Sequence, residues 1–287
     1  FAALALVATI SFATRRSPIA AVLAGLAISL LAAAAANVLV LLNGRYLTGI
    51  FIWSSGSLVQ NGWQDVLILL QRMVIPVLGI ILLLRPLTVL AIGGSSARSL
   101  GLSPAIISGT ALLLVSALAA FVTASFGVFA FVGLAAPALA RIAGYRTIGQ
   151  QLIGASVMGA GLMLGADGVV LMLAPWLGTV PTGAAVALAG APLLIVLAAK
   201  SLPSDPPEST NSPASAMRRR HGIAGLLVLI AIMITALLVG CGDGGWQILD
   251  PGDPGVLVTL RLPRIIAAAS CGALLAAGGV MMQRMTG

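Results

Sequence analysis

The segment from residue 104 to residue 140 reads PAIISGTALLLVSALAAFVTASFGVFAFVGLAAPALA and contains no charged side chain. A helix needs about 20 apolar residues to cross a bilayer, so this run is too long for one span. Gly127 and Gly133 interrupt it and permit the backbone to turn. We therefore predict a full membrane helix over 105–126 and a short returning helix over 129–140. The short helix must be buried in protein, because lipid cannot satisfy the backbone groups at its ends.

The composition of the whole chain agrees with a membrane location. The mean hydropathy is +1.13 and only 8% of the 287 residues are charged, whereas soluble domains carry about 25%. Aromatic residues make up 5% of the chain, and alanine, leucine, glycine and valine dominate it. This composition favours helices packed on small residues over a β-barrel. The predicted fold class is an all-α integral membrane protein, a polytopic helical bundle.

The other apolar runs have the length of membrane helices. They lie at 18–42, 66–84, 147–173, 181–199, 222–241 and 257–283, after an apolar stretch at 1–13. The chain begins without methionine inside one apolar run and ends at the close of another. This pattern indicates an internal piece of a longer protein.

Charged residues orient these spans. With Arg15 and Arg16 in the cytoplasm and one crossing per span, most of the basic residues fall on the cytoplasmic side, as the positive-inside rule requires. The basic residues that then fall on the cytoplasmic side are Arg85, Arg98, Arg141, Arg146, Lys200, Arg218, Arg219, Arg220 and Arg284. The acidic residues Asp65, Asp243, Asp250 and Asp253 fall on the outer side. This distribution of charges holds only if the short run at 129–140 also crosses the membrane. The charge pattern therefore supports the division of residues 104–140 into two helices.

One segment has the composition of a solvated linker. Residues 201–220 read SLPSDPPESTNSPASAMRRR, which is rich in proline and serine and has no apolar period. It divides the chain into a part before residue 201 and a part after residue 220.

Several function classes are excluded by what the sequence lacks. The net charge of +8 comes from arginines scattered between apolar runs, which topology explains better than nucleic-acid binding. His221 is the only histidine and adjoins the linker, so no Ser–His protease site lies within the membrane. Neither Cys241 nor Cys271 belongs to a metal-ligand pattern. We expect no catalytic residue, no bound metal and no cofactor.

Two charged residues lie well inside apolar runs. These are Asp167 and Arg72. Intramembrane charges are functional candidates by default. Asp167 alternatively hydrogen-bonds a neighbouring helix end, and Arg72 either faces the bundle or lines a path through it.

Six phrases, in order, resemble a known family. They are WSSGSL (53–58), LTVLAIGGSSARSLGLS (87–103), FGVFAFVGLAAPALAR (126–141), GAD (165–167), VPTGAAVALAGAPLLIVLAAK (180–200) and LRLPRIIAAASCGALLAAGGVMMQ (260–283). Together they resemble the FecCD/BtuC-type permease subunits of ABC importers for iron-siderophores and cobalamin, and the resemblance spans most of the chain. The last phrase belongs near the start of a family unit and the others to its rear. The resemblance therefore implies the rear of a first unit at 1–200, a cytoplasmic linker at 201–220 and the front of a second unit at 221–287.

The resemblance gives a role to the loop at 91–103. In the family, the corresponding cytoplasmic loop contacts a separate ATPase subunit, which is expected to be dimeric. A short helix in this loop would use a serine as its cap and a glycine as its terminator. The alternative is an ordinary polar connector. The predicted coupling residues are Ser95, Ser96, Ala97, Arg98, Ser99, Leu100 and Gly101.

A second partner is implied on the outer side. The family receives its ligand from a periplasmic or lipid-anchored siderophore-binding protein, whose acidic residues pair with rim arginines of the permease. Arg261 and Arg264 match those positions, with Arg45 as a further candidate. The alternative is snorkelling to lipid phosphate. Ala138 and Leu171 replace a histidine and an arginine that the family often carries, which weakens docking on the first unit.

The expected function is a permease of the bacterial inner membrane that imports an iron-siderophore, with a ferric hydroxamate as the favoured cargo. The fused two-unit layout favours that cargo over cobalamin or haem, which other family members carry. No GxxxxGK[ST] loop occurs, so ATP hydrolysis requires a separate chain. The principal rival from another class is a proton-coupled secondary carrier that uses Asp167.

Overall fold

The computed structural model describes residues 18–42, 54–59, 62–92, 99, 101–145, 147–177, 180–200, 231, 239–242, 245–248, 259 and 261–286. Helices and one small hairpin make up this part of the chain. The helices are α1 (Pro18–Leu42), α2 (Gln64–Ile92), α3 (Pro104–Phe126), α4 (Val132–Ile142), α5 (Ile148–Leu177), α6 (Thr182–Lys200) and α7 (Leu262–Thr286). The strands are β1 (Val239–Gly242) and β2 (Gly245–Ile248), which pair antiparallel.

Four of these helices are long and apolar enough to cross a membrane. The apolar stretches run over Gln64–Leu90, Pro104–Phe126, Ile148–Ala174 and Leu262–Arg284. They correspond to the predicted spans at 66–84, 105–126, 147–173 and 257–283. The helical membrane fold is confirmed.

The charge-free segment folds as predicted into a long and a short helix. Gly127 follows α3 with a φ of +87°, a backbone conformation that favours glycine, and donates to the carbonyl of Thr123. Residues 127–130 are irregular, and Phe131, with a φ of +68°, precedes α4, which has 11 residues and ends near Arg141. Because 11 helical residues rise only about 16 Å, α4 begins at membrane depth.

The irregular segment around Gly56 lies against the end of α3 and the start of α6. Ser57 donates its backbone N–H to the carbonyl of Phe126 at 2.9 Å, and Gly183 donates to the carbonyl of Gly56 at 2.8 Å. Gly56 has a φ of +74°, and a Cβ there would meet the carbonyl oxygen of Val128 at 2.6 Å. The segments therefore satisfy one another's backbone groups, which irregular structure within a membrane requires.

Two predicted boundaries need correction. α2 continues to Ile92, past the predicted end at 84, because the charge of Arg85 ends an apolar run without ending a helix. Leu87, beyond that arginine, is buried in the core. The predicted span at 222–241 overlaps β1, so its last three residues are strand and not helix. Residues 222–230 and 232–238 of that span lie outside the described residues.

α7 is the central helix of the described bundle. In its apolar stretch 56% of the residues are buried, compared with 22–33% in the other three spans. It packs against α5, α4 and α3. The part of the chain after the predicted linker therefore lies within the bundle built by the part before it.

Small residues let α7 approach its neighbours closely. A Cβ added to Gly159 of α5 would collide with the carbonyl oxygen of Gly272, and one added to Gly272 would collide with that of Gly159. A Cβ added to Gly279 would likewise collide with the carbonyl oxygen of Gly133 of α4, whereas one added to Gly133 would lie 3.1 Å from the carbonyl oxygen of Leu275. Between these contacts the hydroxyl of Ser156 donates to the carbonyl of Ala273 at 3.2 Å. Such contacts drive helix association in membranes, where burial from water is not available.

α1 differs from the other helices in its exposure. Of its described side chains at 27–39, 41 and 42, only Ile28 is partly buried and the rest are exposed. The core therefore forms from α2 to α7, and the apolar surface of α1 is left for lipid or for another protein surface.

Gly159→Ala is expected to destabilise the bundle, because the added methyl group forces α5 and α7 apart. Overpacking of this kind costs about 1–3 kcal/mol. The matched control is Gly165→Ala on the same helix, where a Cβ meets no atom within 4 Å. Thermal unfolding in detergent, followed by circular dichroism, measures both. Equal melting temperatures for the two variants would contradict the close α5–α7 contact.

Candidate functional site

The candidate site is a polar cluster around Asp167 of α5. Asp167 is buried, with 6% of the residue's surface exposed. Nε of Arg264 donates to Oδ2 at 2.7 Å, and Nη2 of the same guanidinium donates to Oδ1 at 2.8 Å. The hydroxyl of Thr182 donates to Oδ1 at 3.0 Å. Both carboxylate oxygens are thus occupied by donors from two other helices.

The hydrogen bonds to Asp167 join the starts of α6 and α7 to the interior of α5. Arg264 lies in the first turn of α7, and Thr182, which is 1% exposed, begins α6. A planar guanidinium that binds a carboxylate through two nitrogens allows little rotation or sliding of either side chain. The cluster therefore sets the axial position of α7 and α6 against α5.

Charge balance explains why these groups tolerate burial. A single ionised side chain inside a bilayer is costly, so such residues pair with one another. Here the negative charge of Asp167 faces the positive charge of Arg264, and the third hydrogen bond comes from a neutral hydroxyl. Removing one partner from a buried pair costs about 3–5 kcal/mol, because the other charge is left uncompensated.

A second polar contact joins the opposite ends of α5 and α7. Nε of Arg284 donates to Oε1 of Gln151 at 3.0 Å, and Gln151 is 7% exposed. The two helices run antiparallel, since Asp167 and Gln151 on α5 meet Arg264 and Arg284 on α7 in reverse order. The α5–α7 pair therefore has a polar contact towards each end and the Gly159–Gly272 contact between them.

The structure brings together residues that the sequence placed in different roles. Asp167 was predicted as an intramembrane charge and Arg264 as a docking residue, and here they form one ion pair. Arg261 lies just before α7 and is partly buried, while Arg45 lies outside the described residues. Docking by these arginines stays a prediction. Sequence reasoning missed Thr182 and Gln151, because neutral polar side chains in apolar runs give no charge signal.

Arg72 lies apart from this cluster. It is exposed on the surface of α2, whereas its neighbours Leu69 and Met73 are buried. It therefore does not face the interior of the described bundle. A role in lining a path stays a prediction.

The predicted coupling loop is described at two positions only. Ser99 is helical and exposed, and Gly101 is exposed with a φ of +75°. This left-handed conformation is common where a helix ends at a glycine. Ser95, Ser96, Ala97, Arg98 and Leu100 lie outside the described residues, so the coupling role stays a prediction.

The sequence of this helical bundle matches a known protein family. The sequence profile of the FecCD transport family matches residues 1–200. The chain belongs to the FecCD transport family. The matched region ends at Lys200, the last residue of α6.

Three similar proteins are named as permeases of iron import or transport systems. The chain is 35% identical over 288 residues to the iron(3+)-hydroxamate import system permease protein FhuB of Salmonella typhimurium strain LT2, which covers 99% of this chain and 42% of that protein. It is 34% identical to FhuB of Escherichia coli K12, over 97% of this chain and 43% of that protein. It is 33% identical to the Fe(3+) dicitrate transport system permease protein FecC of E. coli K12, over 61% of this chain and 53% of that protein.

The chain is much shorter than the FhuB proteins. The chain spans about two fifths of the length of the FhuB proteins that it matches. No solved structure matches it significantly.

Asp167→Leu is expected to lower the free energy of unfolding by about 3–5 kcal/mol, because it leaves Arg264 charged and unpaired. The double variant Asp167→Leu with Arg264→Leu is expected to recover most of that loss, since apolar pairs often replace buried ion pairs without penalty. The control is Asp65→Leu, an exposed acid in the first turn of α2, with a loss below about 1 kcal/mol. Chemical denaturation in detergent measures all three. A double variant as unstable as the single one contradicts the pairing.

Proposed function

We propose that this FecCD chain forms part of the permease of an ABC importer that carries ferric hydroxamate siderophores across the bacterial inner membrane. The observation that carries the proposal is the identity of 34–35% to two iron(3+)-hydroxamate import permeases across 97–99% of the chain. The bundle of apolar helices supports a membrane location. The dicitrate permease FecC is matched over a smaller part of the chain, which favours the hydroxamate assignment.

The environment of Asp167 argues against the rival carrier. A proton-coupled carrier needs a carboxylate that accepts and releases a proton during each cycle. Asp167 already binds Arg264 through both oxygens and accepts a third hydrogen bond from Thr182. A group committed to three donors is poorly suited to that cycle, so a structural role for Asp167 fits the geometry better.

Energy for transport would come from a separate ATPase subunit on the cytoplasmic side. The chain has no phosphate-binding loop of the GxxxxGK[ST] type. The proposed contact is the loop from Ser95 to Gly101. Its support is the continuation of α2 past Arg85 to Ile92, followed by the exposed, helical Ser99 and the left-handed Gly101.

On the outer side a binding protein would deliver the siderophore. Arg261 and Arg45 are the proposed contacts for acidic side chains of that protein. Arg264 is a weaker candidate, because Asp167 already balances its charge and little field remains to attract an acidic partner.

The translocation path is proposed to run along α1. Its exposed surface carries the small residues Ala32–Ala36 and the polar Asn37. A large chelate passes more easily over such a surface than over bulky or charged side chains. Among the described residues, no group of three His, Cys, Asp or Glu side chains is placed to hold a metal ion. Recognition of the ferric complex would then reside in the binding protein.

The proposed function predicts ATP-dependent import in reconstituted vesicles. The full permease, its ATPase and its binding protein are expected to import a ferric hydroxamate such as ferrichrome only when ATP is present. Omitting the binding protein is the control and should abolish uptake. Uptake driven by a proton gradient without ATP would contradict the permease assignment, and uptake of cobalamin or haem instead would overturn only the cargo.

Replacing Arg98 and Leu100 with aspartate is expected to stop ATP-dependent import. Unpaired charges in a packed contact oppose association by about 3–5 kcal/mol, so copurification of the ATPase should fall as well. The matched control is Ala105→Asp, an exposed position in the first turn of α3 just beyond the loop. Unchanged import and unchanged assembly in the Arg98→Asp, Leu100→Asp variant would contradict the coupling role.

A further inference from the structure

We propose that Arg72 of α2 binds the phosphate of a phospholipid in the leaflet at the start of that helix, which is the outer leaflet in the predicted topology. The sequence left Arg72 with two roles, facing the bundle or lining a path through it. A lipid site is a third role, and it concerns how the chain sits in the membrane. It does not depend on the cargo or on the ATPase.

Arg72 stands on an apolar surface of α2. Its side chain is exposed. Ile75, one turn further along, is 78% exposed, and Leu82 is 76% exposed. The other large apolar side chains exposed on this helix include Leu67, Leu70, Val74, Leu78 and Ile81. Acyl chains solvate such residues as well as protein does, so they need no protein partner, whereas a charge inside a bilayer does need a counter-charge.

The chain offers Arg72 no suitable carboxylate. In the part of the chain that the structure describes, Arg72 has no ion-pair or hydrogen-bond partner. Of the seven acidic residues in the sequence, only Asp167 lies inside a predicted span, and it is bound to Arg264. Asp65 lies on the same face of α2, but it is seven positions earlier, about 10 Å along the axis. The counter-charge is therefore sought outside the chain.

The position of Arg72 along α2 suits a lipid headgroup. The apolar stretch begins at Gln64, directly after Trp63, and tryptophan is typical of the membrane–water interface. Arg72 follows Gln64 by eight residues, about 12 Å along the axis. Side chains of an α-helix lean toward its N-terminus, so that of Arg72 extends from this depth toward the headgroups. Long basic side chains bridge such a gap by snorkelling.

A phosphate is the anion that this setting supplies. Every phospholipid carries one at the boundary of the hydrocarbon region, and the planar guanidinium can bind two of its oxygens at once. Water is scarce at this depth, which strengthens the attraction between the two charges. A lipid bound in this way would hold the start of α2 at a fixed depth in the membrane.

The first test measures thermal unfolding of the full-length protein in a phosphate-free detergent. Added phosphatidylglycerol is expected to raise the melting temperature by several degrees, because a ligand of the folded state stabilises it. Monogalactosyl diacylglycerol, which lacks phosphate, and inorganic phosphate, which lacks acyl chains, are expected to have much smaller effects. Arg72→Gln is expected to remove most of the phosphatidylglycerol effect, and Arg72→Lys is expected to keep part of it. The matched control is Arg85→Gln, an exposed arginine at the other end of the same helix, which is expected to keep the effect.

Native mass spectrometry then identifies what is bound. The unaltered protein is expected to retain one more phospholipid per chain than the Arg72→Gln variant. Equal retention overturns the proposal, and so does equal stabilisation of the two proteins by phosphatidylglycerol. A response to the galactolipid or to inorganic phosphate as large as that to phosphatidylglycerol overturns the phospholipid as the ligand. An Arg72→Gln variant that loses a copurifying protein but no lipid shows a protein contact instead, and also overturns the proposal.

Discussion

A carboxylate buried among membrane helices needs a cation, and in this FecCD chain Arg264 supplies it across 97 residues of sequence. The ion pair fixes α7 against α5, and Thr182 extends it to the start of α6. Since α7 is the most buried of the spanning helices, its position decides where α3 and α4 pack. The pair therefore constrains the bundle well beyond the residues that form it.

Small residues make this electrostatic constraint possible. Asp167 and Arg264 reach one another with good geometry only because Gly159 and Gly272 bring the two backbones together. Gln151 and Arg284 close the other end of the same helix pair. This close packing contrasts with the exposed surfaces of α1 and of Arg72 on α2.

The sequence predicted the helices well and their pairing poorly. Apolar length identified α1, α3, α5, α6 and α7 to within a few residues, and two glycines identified the short α4. The extension of α2 past Arg85 and the strand at Val239–Gly242 were not predicted. An apolar run indicates which residues avoid water, but it does not show where the backbone hydrogen bonds of a helix end or whether they form a strand. Asp167 and Arg264 were each singled out, but no local spacing links residues so far apart, and Thr182 carries no charge to draw attention.

The most direct test of the central role of the Asp167–Arg264 pair is an experimental structure of the protein in lipid, determined by electron cryomicroscopy. We expect α7 to pack against α4 and α5, with the guanidinium of Arg264 within hydrogen-bond distance of both oxygens of Asp167. A map in which another helix occupies that position, or in which Asp167 has no cationic partner, would contradict it.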